Sequence, residues 1–406
     1  METAGARHEA AGLAHVATVS FLASRASPAF GFWIALAGGV ALARAAQRDG
    51  ARLGYGASVA ATLQTIALIG PVRFNVPLTQ ALTAPVVGAL EGRATPVRWQ
   101  VLACAAIRFV HVTLLTAFAV FVLTGGIDVY TESYERFTGW TGFMPQGQTA
   151  ALVLTAISLV FWTAFASTVQ VLVYRRGLVR WPAIPVDNVE RTPEPPEPVA
   201  GRFDPRAVAV AAALAFGLLI SGFSWPLLGA VGAWLALAAL VGGGDRSVVA
   251  TGVLLAALLA TGVLVFTMIG GLGFDESLRR AIRVLLIVLV ATWLRAAAGA
   301  GGLREVSQRV LGRLRRVPPA REAAAVMDEL GSGRQLGPSV RSVLATLGAV
   351  PRARPLPVVD AVLGWVVAEA RQFRPAAPGA PLELRARARD AVLVAGAAAC
   401  ALALVA

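Results

Sequence analysis

Apolar runs of roughly 20 residues recur along the chain, parted by short clusters of arginine, proline and glycine. A helix of that length crosses a hydrocarbon core about 30 Å thick. The pattern therefore predicts spans near 28–43, 55–72, 76–92, 99–125 and 149–174, and again near 207–222, 224–242, 248–272, 280–298 and 390–406. Pro77 and Pro85 make the 76–92 element a candidate for a broken or re-entrant span. The stretch 12–24, interrupted by His15, is expected to lie as an interfacial helix and makes a poor signal peptide.

The segment 299–389 is too polar to span. Leu303, Val306, Val310, Leu311 and Leu314 fall at helical spacing, with Arg304, Gln308, Arg309 and Arg315 between them. Pro318-Pro319 stops this helix; a second is expected from Glu322 to Leu330, ending at Gly331-Ser332-Gly333, and a third from Val358 to Phe373. By their residues alone these are amphipathic helices with basic faces, suited to rest on anionic lipid. The expected fold class is all-α: a polytopic membrane helical bundle of about ten spans, with amphipathic cytoplasmic helices.

Charge sets the orientation. Arg44, Arg48 and Arg52, then Arg93 and Arg98, then Arg175, Arg176 and Arg180, then Arg246 and the segment 299–389 all fall on one side if the spans alternate. The opposite side receives 126–148, with Asp128, Glu132 and Glu135 against Arg136. The positive-inside rule makes the arginine-rich side cytoplasmic and the protein a multi-pass component of the inner (plasma) membrane. Composition agrees: of 406 residues 57% are hydrophobic and 15% charged, against about 25% charged in soluble domains. The net charge is +13, and every one of the 36 basic residues is arginine. That uniform use of arginine reads as a coding bias, and nucleic acid is not an expected partner. Pro193 to Pro198 lies in a semi-rigid linker, 181–206, between a five-span membrane domain, 1–180, and a second membrane domain, 207–406, that includes the helices of 299–389.

Candidate chemistry is sparse. Gln64, Gln80, Arg108 and His111 are polar residues at membrane depth, and Arg108 and His111 are three apart on one helical face. An arginine inside a span must snorkel, pair or line a cavity. Glu91 and the headgroups are partners it could reach; a cavity holding an anionic or polar solute is the functional alternative. The loop 128–148, rich in Tyr130, Tyr134, Phe137, Trp140 and Phe143, reads as an interfacial belt or as a lid over an entrance. A phosphate-cradling loop with its lysine is impossible here, and no nucleophile–base pair or metal-ligand motif stands out. No catalytic residue, cofactor or metal ligand is predicted, and the chain is not expected to be an enzyme.

The order of features in 207–406 resembles the transmembrane T component of energy-coupling factor (ECF) transporters, the EcfT/CbiQ family. Phe203-Asp204-Pro205-Arg206 stands before the first of four spans, Leu278-Arg279-Arg280-Ala281-Ile282-Arg283 opens the fourth, and an amphipathic stretch runs from Gly302-Leu303-Arg304-Glu305-Val306 to Leu314. Leu384-Arg385-Ala386-Arg387-Ala388-Arg389-Asp390 precedes the last span. The resemblance implies a coupling subunit of an ABC importer for small molecules of the vitamin or metal-ion class. It implies as partners ABC-type ATPase subunits, which would hydrolyse the ATP, and a substrate-binding S component or a fused N-terminal half. In the family an Ala-Arg-Gly or Ala-Arg-Ser motif near the end of each coupling helix docks on the ATPase. Here Gly333-Arg334-Gln335 and Ala370-Arg371-Gln372 keep the arginine without the small residue that follows, so Arg334 and Arg371 are the implied ATPase-coupling residues. Other classes of function consistent with the residues are a stand-alone secondary transporter and a membrane scaffold with a basic lipid- or protein-binding layer.

Overall fold

The structure, a computed structural model, describes residues 2–27, 30–71, 75–142, 145–181, 202–331, 335–350, 355–375, 384 and 386–404. Among them there is no strand. Fourteen α-helices follow one another: α1 (Glu2–Ala26), α2 (Gly31–Ile69), α3 (Asn75–Gly92), α4 (Val97–Ala117), α5 (Ile127–Thr141), α6 (Gln148–Val179), α7 (Pro205–Ser221), α8 (Trp225–Gly242), α9 (Arg246–Ile269), α10 (Phe274–Arg313), α11 (Pro318–Leu330), α12 (Leu336–Gly348), α13 (Pro355–Gln372) and α14 (Ala388–Ala399). A π-helical segment, Phe118–Thr124, prolongs α4, and a 3-10 turn, Cys400–Leu404, prolongs α14. The proposed linker lies almost wholly outside the described residues.

Among the described residues five helices are long and apolar enough to cross a membrane: α4 with its π segment, α6, α8, α9 and α10; α7 is apolar but shorter. About ten spans were expected, so the apolar pattern overcounts helices of this kind. The reason is visible in burial. From Glu9 to Ser24 nearly every residue of α1 is buried, and the first half of α2 is buried from Ile34 to Ala46. A helix apolar all round packs inside protein as readily as it faces lipid. The expected interfacial helix 12–24 is thus a core helix.

Around α1 stand α2, α11, α12 and α13, which place Val326, Met327, Val343, Val362 and Val366 in the same apolar core as Leu13, Phe21 and Leu36. The apolar faces of α11, α12 and α13 are therefore largely taken by protein, whereas Val310 and Leu314 at the end of α10 stay exposed. Ion pairs stitch this basic layer at its edges: Glu322 on α11 accepts from Arg7 at 3.2 Å and Arg52 at 3.0 Å, and Arg48 pairs with Glu9. A fourth helix of the layer, α12, had no counterpart in the sequence pattern.

Gly50, at φ +86°, divides α2 and turns its second half back, so that Gly54 presses on Ala46 closely enough to exclude a Cβ. Residues 51–69 and α3 then form an antiparallel hairpin, tied by Tyr55 to Leu82 O at 3.2 Å and by Ser58 to Ala81 O. The hairpin meets its neighbours partway along their length. Thr79 meets His111, which at 1.5 Å per residue lies about 20 Å from either end of the α4 rod. Leu68 O accepts from Arg295 Nε at 2.9 Å, and Arg295 lies about 30 Å along α10 from its start. The two runs predicted as spans 55–72 and 76–92 pack on each other as one helical hairpin, and neither is among the helices long and apolar enough to cross a membrane.

The second core joins α7, α8, α10 and α14 through Leu219, Leu227, Val231, Val290 and Leu393, with Trp234 edge-on to Trp293 at 5.3 Å. Asp204 caps α7, accepting from Arg206 N at 2.8 Å, and its own N–H donates to Asp390 Oδ1 at 2.9 Å. Asp390 also accepts from Arg387 N at 2.7 Å, so one carboxylate ties the starts of α7 and α14. At the far end the aromatic loop contains α5, bounded by Gly126 and Gly142; Ser133 bonds Phe266 O at 3.2 Å and Tyr130 bonds Thr155 at 2.7 Å. Phe143 falls outside the described residues.

Candidate functional site

Three helices bring polar faces together inside the N-terminal part of the bundle. On α4, Gln100, Cys104 and Arg108 are the buried residues, each four after the last, with His111 following on the same face. On α6, Thr163, Ser167, Gln170 and Tyr174 form a matching stripe. The helix α3 contributes Thr79, Gln80 and Thr83, all buried. The opposite face of α4 is apolar and exposed at Leu102, Phe109, Val110, Leu114 and Phe121, as is that of α6 at Ile157, Phe161 and Phe165.

The stripes are joined by a chain of hydrogen bonds. Arg108 Nη2 donates to Gln170 Oε1, which also takes the Cys104 thiol at 3.4 Å. Gln170 Nε2 donates to Thr83 Oγ1 at 2.7 Å, and Thr83 in turn donates to Thr79 O at 2.7 Å. Thr79 Oγ1 lies 2.9 Å from His111 Nδ1, and Tyr174 donates to Gln80 at 3.3 Å. Towards the arginine-rich end, Gln100 donates to Glu91, whose carboxylate also receives Arg175 Nε at 3.2 Å. The result is a polar track from Glu91 to His111, covering about half the height of α4.

Arg108 is 3% exposed and makes no ion pair among the described residues. Glu91, the carboxylate that the sequence offered it, is engaged with Arg175 and Gln100 instead. Several atoms along the track have no hydrogen-bond partner among the described residues: Arg108 Nε, His111 Nε2, Gln100 Oε1 and Thr163 Oγ1. Gln64, on α2, is buried with Oε1 likewise unpartnered, but no bond joins it to Arg108. The structure thus gathers Gln80, Arg108 and His111 into the α3–α4–α6 cluster and leaves Gln64 out of it. A guanidinium with an unmade N–H bond, in a shell of amide, hydroxyl and imidazole, is equipped to hold an oxygen-rich or anionic group. No group of three or more His, Cys, Asp or Glu side chains suited to a metal ion occurs among the described residues.

Two neighbouring features bear on the site. The hairpin tip borders a cavity of about 210 Å³ lined by Gly70, Ser247, Thr251, Thr292 and Arg295. At its other end α6 is clamped to α13: Asp360 accepts from Arg176 at 3.0 and 3.1 Å and from Arg180 at 2.8 Å. Burial raises the Asp360 carboxyl, and the two guanidiniums outweigh it, holding it below the usual range. One helix, α6, therefore carries both Gln170 and the clamp. Arg371 stands exposed in the last turn of α13, and Arg334 lies outside the described residues.

Sequence reasoning passed over Thr163, Gln170 and Tyr174. Their 4-3-4 spacing with Ser167 along a predicted span was the available signal, since uncharged polar residues repeating on one helical face mark an interior stripe. Compared with known proteins, the chain matches no protein-family model, no curated protein and no solved structure.

Proposed function

We propose that this protein is a membrane transport component in which a cytoplasmic helical layer drives a polar site centred on Arg108. The observation that carries the reading is the shared helix α6, which joins the Asp360 clamp at one end to Gln170, the hydrogen-bond partner of Arg108, within about two turns. A displacement of α13 is passed along a helix, which is stiff, to the residues that hold the guanidinium.

The topology proposed with it has seven crossings: α4, α6, α7, α8, α9, α10 and α14, the last completed by its 3-10 turn. Residues 51–92 enter from the arginine-rich side as the re-entrant hairpin, and α1, the first half of α2 and α11–α13 form the cytoplasmic layer. This assignment keeps Arg93, Arg98, Arg175, Arg176, Arg180 and Arg246 on one side, as the positive-inside rule asks. Irregular backbone at membrane depth, as at the hairpin tip, is tolerated where protein or a cavity surrounds it, and a cavity is present there.

A buried guanidinium with no carboxylate favours a solute carrying an anionic or strongly accepting group over a metal cation. The motor in this reading is a pair of ATP-binding-cassette subunits docking on the layer near Arg371, the arrangement of an ECF-type importer. Detergent-solubilised protein, isolated from its native membranes and analysed by mass spectrometry, is expected to bring down such ATPases. Asp360→Asn is expected to keep that association, shift stability by less than about 1 kcal/mol as exposed ion pairs do, and abolish uptake. Recovery of the protein alone, monodisperse and in good yield, overturns the ATPase-driven reading.

A further inference from the structure

On the face remote from Arg108, the second half of α8 and the first turns of α14 enclose a groove of about 340 Å³. Phe203, Trp234, Leu237, Ala238, Val392 and Leu393 line it, and Arg389 stands at its end. Its floor is closed to polar partners, because Trp234 Nε1 already donates to Leu393 O at 3.2 Å. Its rims face outward: Leu237 is 63% and Val392 72% exposed.

The Arg389 end is cationic and unanswered. Arg389 Nε is buried without a hydrogen-bond partner, and the side chain makes no ion pair among the described residues. The nearby carboxylates are committed elsewhere: Asp390 accepts the N–H groups of Arg387 and Asp204, and Asp204 is paired with Arg206 at 2.7 Å. Two more arginines attend this end. Arg387 is exposed, and Arg202, its backbone N–H bonded to Gly242 O at 3.1 Å, sits where α8 finishes. The first turn of α14 adds the positive end of a helix dipole.

An apolar slot along spanning helices that terminates in an unpaired guanidinium has the form and charge of one phospholipid with an anionic headgroup. We propose that this groove binds such a lipid, an acyl chain lying on Trp234 and Ala238 and the phosphate on Arg389. The slot distinguishes it from a free phosphate, for which the apolar wall has no use. The cluster of Arg389, Arg387 and Arg202 distinguishes it from a zwitterionic lipid, whose phosphate could meet Arg389 but whose quaternary ammonium would add a positive charge beside the other arginines.

Native mass spectrometry of the full-length protein, delipidated and then titrated with phosphatidylglycerol or phosphatidylcholine, tests this. One phosphatidylglycerol is expected to remain bound at collision energies that strip phosphatidylcholine, and inorganic phosphate is expected not to bind. Arg389→Gln should weaken retention about five-fold, the effect of removing one arginine beside an anionic headgroup, and Arg389→Glu should weaken it further. Ala238→Leu, which fills the slot, should reduce retention with Arg389 intact; should that variant fail to fold, Val392→Ser on the exposed rim carries the same test. Arg341→Glu, on the basic layer, should change nothing. Equal retention of the two lipids, or variants of Arg389 and the slot that match the wild type, would mean annular lipid only and overturn the proposal.

Discussion

Arg108 and Arg283, 3% and 4% exposed, are buried to nearly the same degree and in opposite conditions. Arg283, on α10, donates from Nε to Leu219 O, from Nη1 to Val122 O at 2.7 Å and from Nη2 to Ile220 O at 2.7 Å. Its guanidinium carbon also lies 5.4 Å from the centre of the Phe223 ring. The first and last of these acceptors end α7, and the middle one belongs to the π segment that ends α4. They are carbonyls that a helix terminus leaves open, at the negative end of its dipole. The charge is thus answered three times by backbone. Arg108 has one amide oxygen and an idle Nε. Burial of a charge does not by itself mark function in a bilayer; the state of its donors does. The surroundings repeat the contrast. The buried residues of α8 are Leu227, Leu228, Val231, Trp234, Leu235, Ala238 and Gly242, whereas those of α4 are Gln100, Cys104 and Arg108. Between helices in lipid, packing and hydrogen bonds rather than water exclusion drive association. The α8 interface uses the first, and the α4 interface rests on the second.

The largest expected effect comes from breaking the answered arginine. Arg283→Met removes three charge-assisted bonds, each worth about 1.5–3 kcal/mol, and orphans the carbonyls of two helix ends. The yield of monodisperse protein should collapse, with at least a 10 °C fall in melting temperature on the scale of about 4–8 °C per kcal/mol for small domains and half that for larger ones. Arg283→Lys should rescue little, since one ammonium cannot reproduce a planar fork spread over three acceptors.

The unanswered arginine should behave otherwise. Arg108→Met replaces a costly charge by an apolar side chain of similar length, and such exchanges are commonly neutral or stabilising by about 1–4 kcal/mol. Melting temperature should hold or rise, while binding and uptake of solute in proteoliposomes should be lost. A variant that unfolds as Arg283→Met does would erase the distinction between the two sites and leave Arg108 as structural glue.

Much of this arrangement was readable before folding. Arg108 and His111 stood out because their spacing put two costly groups on one face of an apolar helix, and Gln80 because amides are rare at such depth. Gln170 and Tyr174 were hidden because each alone is unremarkable, and only their common stripe with Thr163 and Ser167 betrays an interior face. The pairing of Glu91 was misjudged for a geometric reason: it sits at the arginine-rich end of α3, level with Gln100 and Arg175, and about 12 Å along α4 from Arg108. The apolar pattern predicted about ten spans, while five of the described helices are long and apolar enough to cross a membrane, because some apolar helices pack on other helices. Nothing in the local pattern of α1 reveals that α11, α12 and α13, some 300 residues later, will cover it. Gly50 is the opposite case: it stands in the polar run Gln47-Arg48-Asp49-Gly50-Ala51-Arg52, between the apolar stretches 28–43 and 55–72, and the chain turns back there.

The smallest expected effect sharpens the comparison from the basic layer, where a polar cluster is paired. His15 on α1, nearly buried and 5.1 Å from the Phe373 ring, lies 3.6 Å from Glu369 on α13, and Ser339 on α12 donates to the same carboxylate. The hydrogen bond from His15, opposed by burial and helped by Ser339, holds the Glu369 carboxyl below its ordinary range. A depressed carboxyl stabilises the fold above its unfolded-state pKa of about 4.3, and that contribution drains away as the pH falls through the lower folded value. Melting of the wild type should therefore decline more steeply with acid below about pH 4.3 than melting of Glu369→Gln, which has no proton to gain there. Above that pH the curves should run parallel, the variant lower by the loss of one paired charge. Hydrogen exchange should place the acid-induced loosening at the contacts of α1 with α12 and α13, with the Arg108 network undisturbed. A matching loss of slope at Arg108 would mean that the layer and the membrane site open as one unit.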